Sequence, residues 1–169
     1  MSVHAHKKKK IVANCIVITI SDTRTSETDK SGNVISRLLK QAGHKVQKKE
    51  IVRDNKQEIA KVVKTYCEDS SIDVIITNGG TGLSKRDVTI ETIQPFFEKE
   101  ITGFGELFRM LSYQEDIGSA ALLSRAIAGI YKETSIFSIP GSTGAVKLAM
   151  NKLILREISH IVTEVKKEL

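Results

Sequence analysis

The chain has 169 residues, of which 40% are hydrophobic, 27% charged and 5% aromatic, with a formal net charge of +6. That length suits one domain able to bury a core without disulfide or metal staples. No apolar run approaches the roughly 18–20 residues that cross a bilayer, so an integral membrane protein is excluded and a signal peptide is not expected. Cys15 and Cys67 lie in apolar or helical surroundings rather than a cysteine framework, which points to a reducing, cytoplasmic setting.

Most of the charge is local. Lys7, Lys8, Lys9 and Lys10 carry four of the six excess positive charges, in a basic tail over residues 1–10 expected to be disordered. Such a tail attracts nucleic acid or anionic lipid. The chain has no Trp and no aromatics interleaved with basic residues, so no stacking platform for bases is present. A solvated terminus is the favoured reading, and nucleic acid is not an expected partner.

Residues 11–20 (IVANCIVITI) are nearly continuous in apolarity and β-branched, as in a strand buried on both faces of a parallel sheet. Residues 21–32 form a polar loop, and residues 33–42 carry Val34, Ile35, Leu38 and Leu39 at helical spacing before Gly43 stops the helix. A more exposed strand over 44–52 follows, then a helix over 54–68 with Ile59, Val62, Val63 and Tyr66 on one face. Residues 73–78 (DVIITN) read as another buried strand leading directly into Gly79, Gly80, Thr81 and Gly82. A helix over 89–99 is expected to end or kink near Pro95, and 104–113 reads as a short amphipathic segment. Residues 122–131 are ambiguous and are read as an edge strand. Residues 135–139 form a last buried strand, and a long amphipathic helix runs from 145 to about 166. Alternating strands and helices mean an α/β fold with a mostly parallel sheet, as one domain over residues 11–169.

In such sheets ligands bind where the βα loops gather at the carboxyl ends of the strands. Glycines concentrate at two of these ends, Gly79, Gly80 and Gly82 and then Gly141 and Gly144. Without Cβ atoms, backbone N–H groups there can approach an anion, with a helix N-terminus adding a favourable dipole. The plainer readings are a tight turn at residues 79–82 and a Pro-Gly turn capped by Ser142 or Thr143 at the second loop. No P-loop is present, and Lys85 stands where a dinucleotide fingerprint needs its third Gly. Asp87 beside the glycine loop suits Mg²⁺ held between a carboxylate and phosphate oxygens; its other reading is a helix N-cap. Asp54, in Asp54-Asn55-Lys56-Gln57, has the spacing of a capping box.

Ser21-Asp22-Thr23, Asn78-Gly79-Gly80-Thr81-Gly82, Asp87-Val88-Thr89-Ile90-Glu91, Ser124-Arg125-Ala126 and Pro140-Gly141-Ser142 occur here in this order. As a set they resemble the MoaB/MogA family of molybdenum cofactor biosynthesis proteins, over essentially residues 11–160. Gly118-Ser119-Ala120 and the closing helix look more like the MoaB branch. The resemblance implies a three-layer α/β/α molybdopterin-binding domain of the MogA-like kind, forming homotrimers or homohexamers. It implies molybdopterin as substrate, a pterin with a dithiolene and a terminal phosphate, and ATP with Mg²⁺ as co-substrate and cofactor. Catalytic members transfer AMP to that phosphate and release pyrophosphate, while a non-catalytic molybdopterin carrier or scaffold is the alternative. By the same resemblance Asp54 and Asp87 are the functional aspartates, with Mg²⁺ at Asp87. Gly79, Gly80, Thr81 and Gly82 would hold nucleotide phosphates. Ser21, Thr23, Ser119, Arg125, Gly141, Ser142 and Thr143 are candidates for pterin or phosphate contacts. Other molybdenum cofactor biosynthesis proteins are the expected partners. The apolar side chains of residues 104–113, numerous for an exposed segment, fit self-association.

Overall fold

The computed structural model describes residues 10–168; of the basic tail, residues 1–9 lie outside the described residues. β1 (Asn14–Ile20) is buried beyond its first residue, as its unbroken β-branched run demands. α1 (Lys30–Gln41), β2 (Lys45–Val52), α2 (Lys56–Glu68) and β3 (Val74–Asn78) follow in alternation. Then come α3 (Thr89–Ile93), β4 (Lys99–Glu100), α4 (Thr102–Ser112), β5 (Ile127–Tyr131), β6 (Thr134–Ile139), α5 (Thr143–Ala149) and α6 (Leu155–Val165).

The strands form one sheet in the order β2-β1-β3-β6-β5-β4. β1 pairs in parallel with β2 and β3, and β3 with β6. β5 and β4 are added antiparallel. Successive side chains of a strand point to opposite faces, and this divides the core in two. Cys15 and Val17 pack with Ile35 and Leu39 of α1 and with Val146 and Ile158 from α5 and α6. Ile16, Ile18 and Ile20 pack on the other face with Ile59 and Val63 of α2 and Ile93 of α3. The result is the three-layer arrangement expected of a parallel α/β sheet. Among the described residues no helix is long and apolar enough to cross a membrane.

Several element ends differ from the sequence reading, each for a local reason. α1 begins at Lys30 rather than 33, because the fully buried Asp29 accepts the Gly32 N–H at 3.0 Å as its N-cap. α2 is capped by Asn55, which accepts the Glu58 N–H at 3.1 Å. The capping box anchored on Asp54 is therefore not formed, and Asp54 stands outside the helix. α3 is only five residues long and passes through a 3-10 turn, Gln94–Phe96, with Pro95 in its first turn. Lys99, read as helical, lies in β4. Leu122 and Leu123 close a 3-10 turn (Gly118–Leu123), and the strand beyond them is not at the edge, since β4 flanks β5. The long closing helix is α5 and α6 joined by a π-turn over Met150–Ile154.

Candidate functional site

β1 leads through α1 to β2 on one side, while β3 lies on its other side. The connections diverge between β1 and β3, and at such a switch point the loops part to leave a crevice. A cavity of about 530 Å³ opens there, at the carboxyl ends of β1, β3 and β6. Its walls include Ser21 and Thr23 after β1, and Gly79, Gly80, Thr81, Gly82 and Asp87 after β3. Arg125, Gly141 and Ser142 close it from the loops flanking β5 and β6. Residues far apart in the chain are thus gathered by strand order alone.

The glycine loop has a defined shape. Gly79 and Gly80 adopt φ of +97° and +66°, where a side chain is strained. A Cβ on Gly80 would also meet Thr89 Oγ1 and lie 2.8 Å from Asp54 Oδ1. Four consecutive carbonyls are tied to neighbouring elements. Gly79 O accepts from Thr89 Oγ1 and Gly80 O from Thr89 N, both at 3.0 Å. Thr81 O accepts from Arg125 Nε at 2.8 Å and Gly82 O from an Arg125 Nη at 2.7 Å. Across a trans peptide the N–H points opposite to the preceding C=O. The N–H groups of Gly80, Thr81, Gly82 and Leu83 therefore face away from Thr89 and Arg125. Among the described residues none of these four donors has an acceptor. Consecutive backbone donors without acceptors are the kind of group that an anion can satisfy.

Carboxylates stand beside it. Asp87 lines the cavity and accepts from Ser84 N and Ser84 Oγ at 3.2 and 2.6 Å, and the N-cap position of α3 falls to Val88, whose side chain makes no cap bond. The N-cap reading of Asp87 is thus not realised. Asp54 is behind Gly80, not in the cavity lining. Burial, then the charges of Asp22 and Asp87, push its carboxyl above the ordinary aspartate range. Asp22 moves the other way, held low first by its hydrogen bond from Arg86 at 2.8 Å and next by the Asp54 N–H. Among the described residues no group of three or more His, Cys, Asp and Glu side chains forms a preassembled metal site. Two carboxylates beside a loop of unpaired N–H donors fit the chemistry of Mg²⁺ instead, which usually takes one or two carboxylates and completes its shell with phosphate oxygens and water.

Not every candidate lies on the cavity wall. Ser119 is exposed in the 3-10 turn before β5, and Thr143 is the exposed first residue of α5; neither lines it. Ser142 lines the wall and caps α5, accepting the Ala145 N–H at 3.2 Å. Arg24 lines the cavity but escaped sequence reasoning, although it sits within three residues of Ser21 in the same polar loop. Ser21 Oγ accepts from Thr23 N and Arg24 N at 3.2 and 3.1 Å, which folds that loop back over the strand end. Below it, buried Asn78 joins the loops: its amide donates to Thr19 Oγ1 at 3.0 Å and accepts from Ser31 Oγ at 2.7 Å.

Residues 16–160, which include all of these loops, match the family described as "Probable molybdopterin binding domain". The chain belongs to the MoaB/MogA family. It is 55% identical over 169 residues to molybdenum cofactor biosynthesis protein B of Bacillus subtilis, covering 99% of both chains. A crystal structure of a molybdenum cofactor biosynthesis protein B superposes with a TM-score of 0.92 at 55% identity, over 95% of this chain and 100% of that one. The tungsten cofactor synthesizing protein MoaB from Pyrococcus furiosus gives 0.84 at 37% identity, over 94% and 100%. The MoaB/MogA fold therefore extends over nearly the whole described chain.

Proposed function

We propose that this protein binds molybdopterin in the switch-point cavity and adenylylates its terminal phosphate from ATP, releasing pyrophosphate. The observation that carries the reading is the row of four unpaired backbone donors flanked by Asp54 and Asp87. In this reaction a phosphate oxygen of the pterin forms a bond to the α-phosphorus of ATP. The bond from that phosphorus to the oxygen bridging the β-phosphate breaks, and pyrophosphate leaves with the electron pair. Such chemistry is catalysed mainly by holding two phosphorylated partners in line and stabilising developing charge. The donors of the glycine loop would stabilise phosphate oxygens, and Ser142, which lines the same cavity, would offer a hydroxyl to the ligand. Asp54 and Asp87 would hold Mg²⁺, which when bound neutralises phosphate charge. The Asp54 carboxyl, raised first by burial and then by the charges of Asp22 and Asp87, fits this role, since an added cation would offset both.

Purified protein supplied with Mg·ATP and molybdopterin is expected to release pyrophosphate well above the rate without pterin. Release at background, with pterin still bound, would leave a non-catalytic carrier or scaffold instead. We also propose that the protein self-associates through the face carrying Leu107, Met110, Tyr113, Ile117, Leu122 and Leu123, all at least 45% exposed.

A further inference from the structure

A cation on the wall of a phosphate site reads at first as a ligand. The hydrogen bonds of Arg125 assign it differently. A guanidinium has five N–H donors in one rigid plane. Nε is committed to Thr81 O and one Nη to Gly82 O, while both Nη atoms also reach the Glu91 carboxylate. Four of the five donors are thus engaged within the protein. Glu91 is exposed and lies outside the cavity lining, and its carboxyl is held below the usual range first by this same hydrogen bond.

We infer that Arg125 is a positioning residue: together with Thr89 it fixes the four loop carbonyls, so that the N–H groups of Gly80, Thr81, Gly82 and Leu83 are presented as one row, and Glu91 holds the guanidinium in register. This rests on the reading that the glycine loop receives phosphate. The two roles predict opposite signs for one exposed change. Were Arg125 a ligand, removing the Glu91 charge would free a cation beside the anion and tighten binding. As a positioning residue, Arg125 released from Glu91 lets the loop relax, and binding weakens.

The test titrates the full chain, its Glu91→Gln variant and its Arg125→Lys variant with inorganic pyrophosphate by calorimetry. It also records the backbone amide resonances of Gly82 and Leu83 without ligand. Glu91→Gln is expected to weaken binding roughly tenfold, the effect of losing one charge-assisted hydrogen bond. Arg125→Lys keeps the charge but not the planar fork, and it is expected to weaken binding at least as much. The two amide resonances should move in both variants. Unchanged or tighter binding by Glu91→Gln would overturn the inference, as would unmoved amides. Should the wild-type chain bind no pyrophosphate, the phosphate reading falls by itself. The amides then still decide the positioning role, movement supporting it and constancy overturning it.

Discussion

Asp54 stands just past the carboxyl end of β2, where burial and neighbouring carboxylates make its charge costly. The Asp54 carboxyl keeps its proton to a higher pH in the folded chain than the ordinary value of 3.8. Between those two values the folded state binds more protons than the unfolded chain, so stability falls as pH rises through that window. Asp54→Asn removes the penalty. Its unfolding midpoint should match wild type near pH 3 and exceed it at pH 7, while pyrophosphate release is lost. A lower midpoint at pH 7 would mean that folded-state partners favour the charge after all. Asp87→Asn keeps an acceptor for Ser84 and is not the cap of α3. Turnover should fall on the order of 100-fold, as when an electrostatic stabiliser is removed, with stability within about 1 kcal/mol of wild type. Pterin affinity, read by equilibrium dialysis, should stay within a few-fold. Asp87 stood out in the sequence because a carboxylate beside a glycine-rich strand end is unusual chemistry, whereas Asp54 was singled out by the family resemblance. Their roles relative to the helices were not legible, since moving a cap by one residue, from Asp54 to Asn55, leaves the sequence pattern almost unchanged.

At the scale of elements, the buried strands were readable because β-branched runs such as residues 74–76 have no competing helical period. The segment around β5 was readable as a strand but not as an interior one, because its place away from the sheet edge depends on β4, a two-residue partner that carries almost no pattern. The β5–β6 hairpin shows the same dependence on tertiary context. Its two-residue turn, Lys132 and Glu133, has φ of +46° and +65°, a conformation usually filled by Asn-Gly. The polar residues 132–134 read as a turn, but nothing in the dipeptide announces its left-handed type, which the pairing of Tyr131 with Thr134 imposes. Glu133→Gly relieves left-handed strain of about 1–2 kcal/mol against a backbone-entropy cost of about 0.5–1. Its denaturation midpoint should rise by about 0.5–1 kcal/mol equivalent with an unchanged m-value, whereas a fall would show that the turn is not strained.

Across the whole molecule, strand order creates the cavity and the helices leave one face incomplete. Phe104 and Phe108 of α4 enter the core, while Leu107 and Met110 of the same helix point outward beside Tyr113 and Leu122. The sequence already marked residues 104–113 as unusually apolar, but which of those side chains face outward becomes visible only when the inward face is filled. Leu107→Glu combined with Leu122→Glu should reduce the mass seen by sedimentation to that of one chain. An unchanged mass would exclude this face as the contact. The net charge was the least informative global number, since much of it belongs to residues outside those described, whereas glycine placement pointed to the strand ends where the cavity opens.

Both cysteines are buried, and desolvation pushes the thiol of Cys15 up to about 12 and that of Cys67 to about 11. A thiol reacts as its thiolate, so neither is an effective nucleophile or metal ligand in the folded chain. A site proposed to handle a dithiolene thus sits in a protein whose own thiols are held unreactive. Mixed disulfides and stray capture of a soft metal are avoided without removing cysteine from the sequence, and those thiols become reactive only as the chain opens.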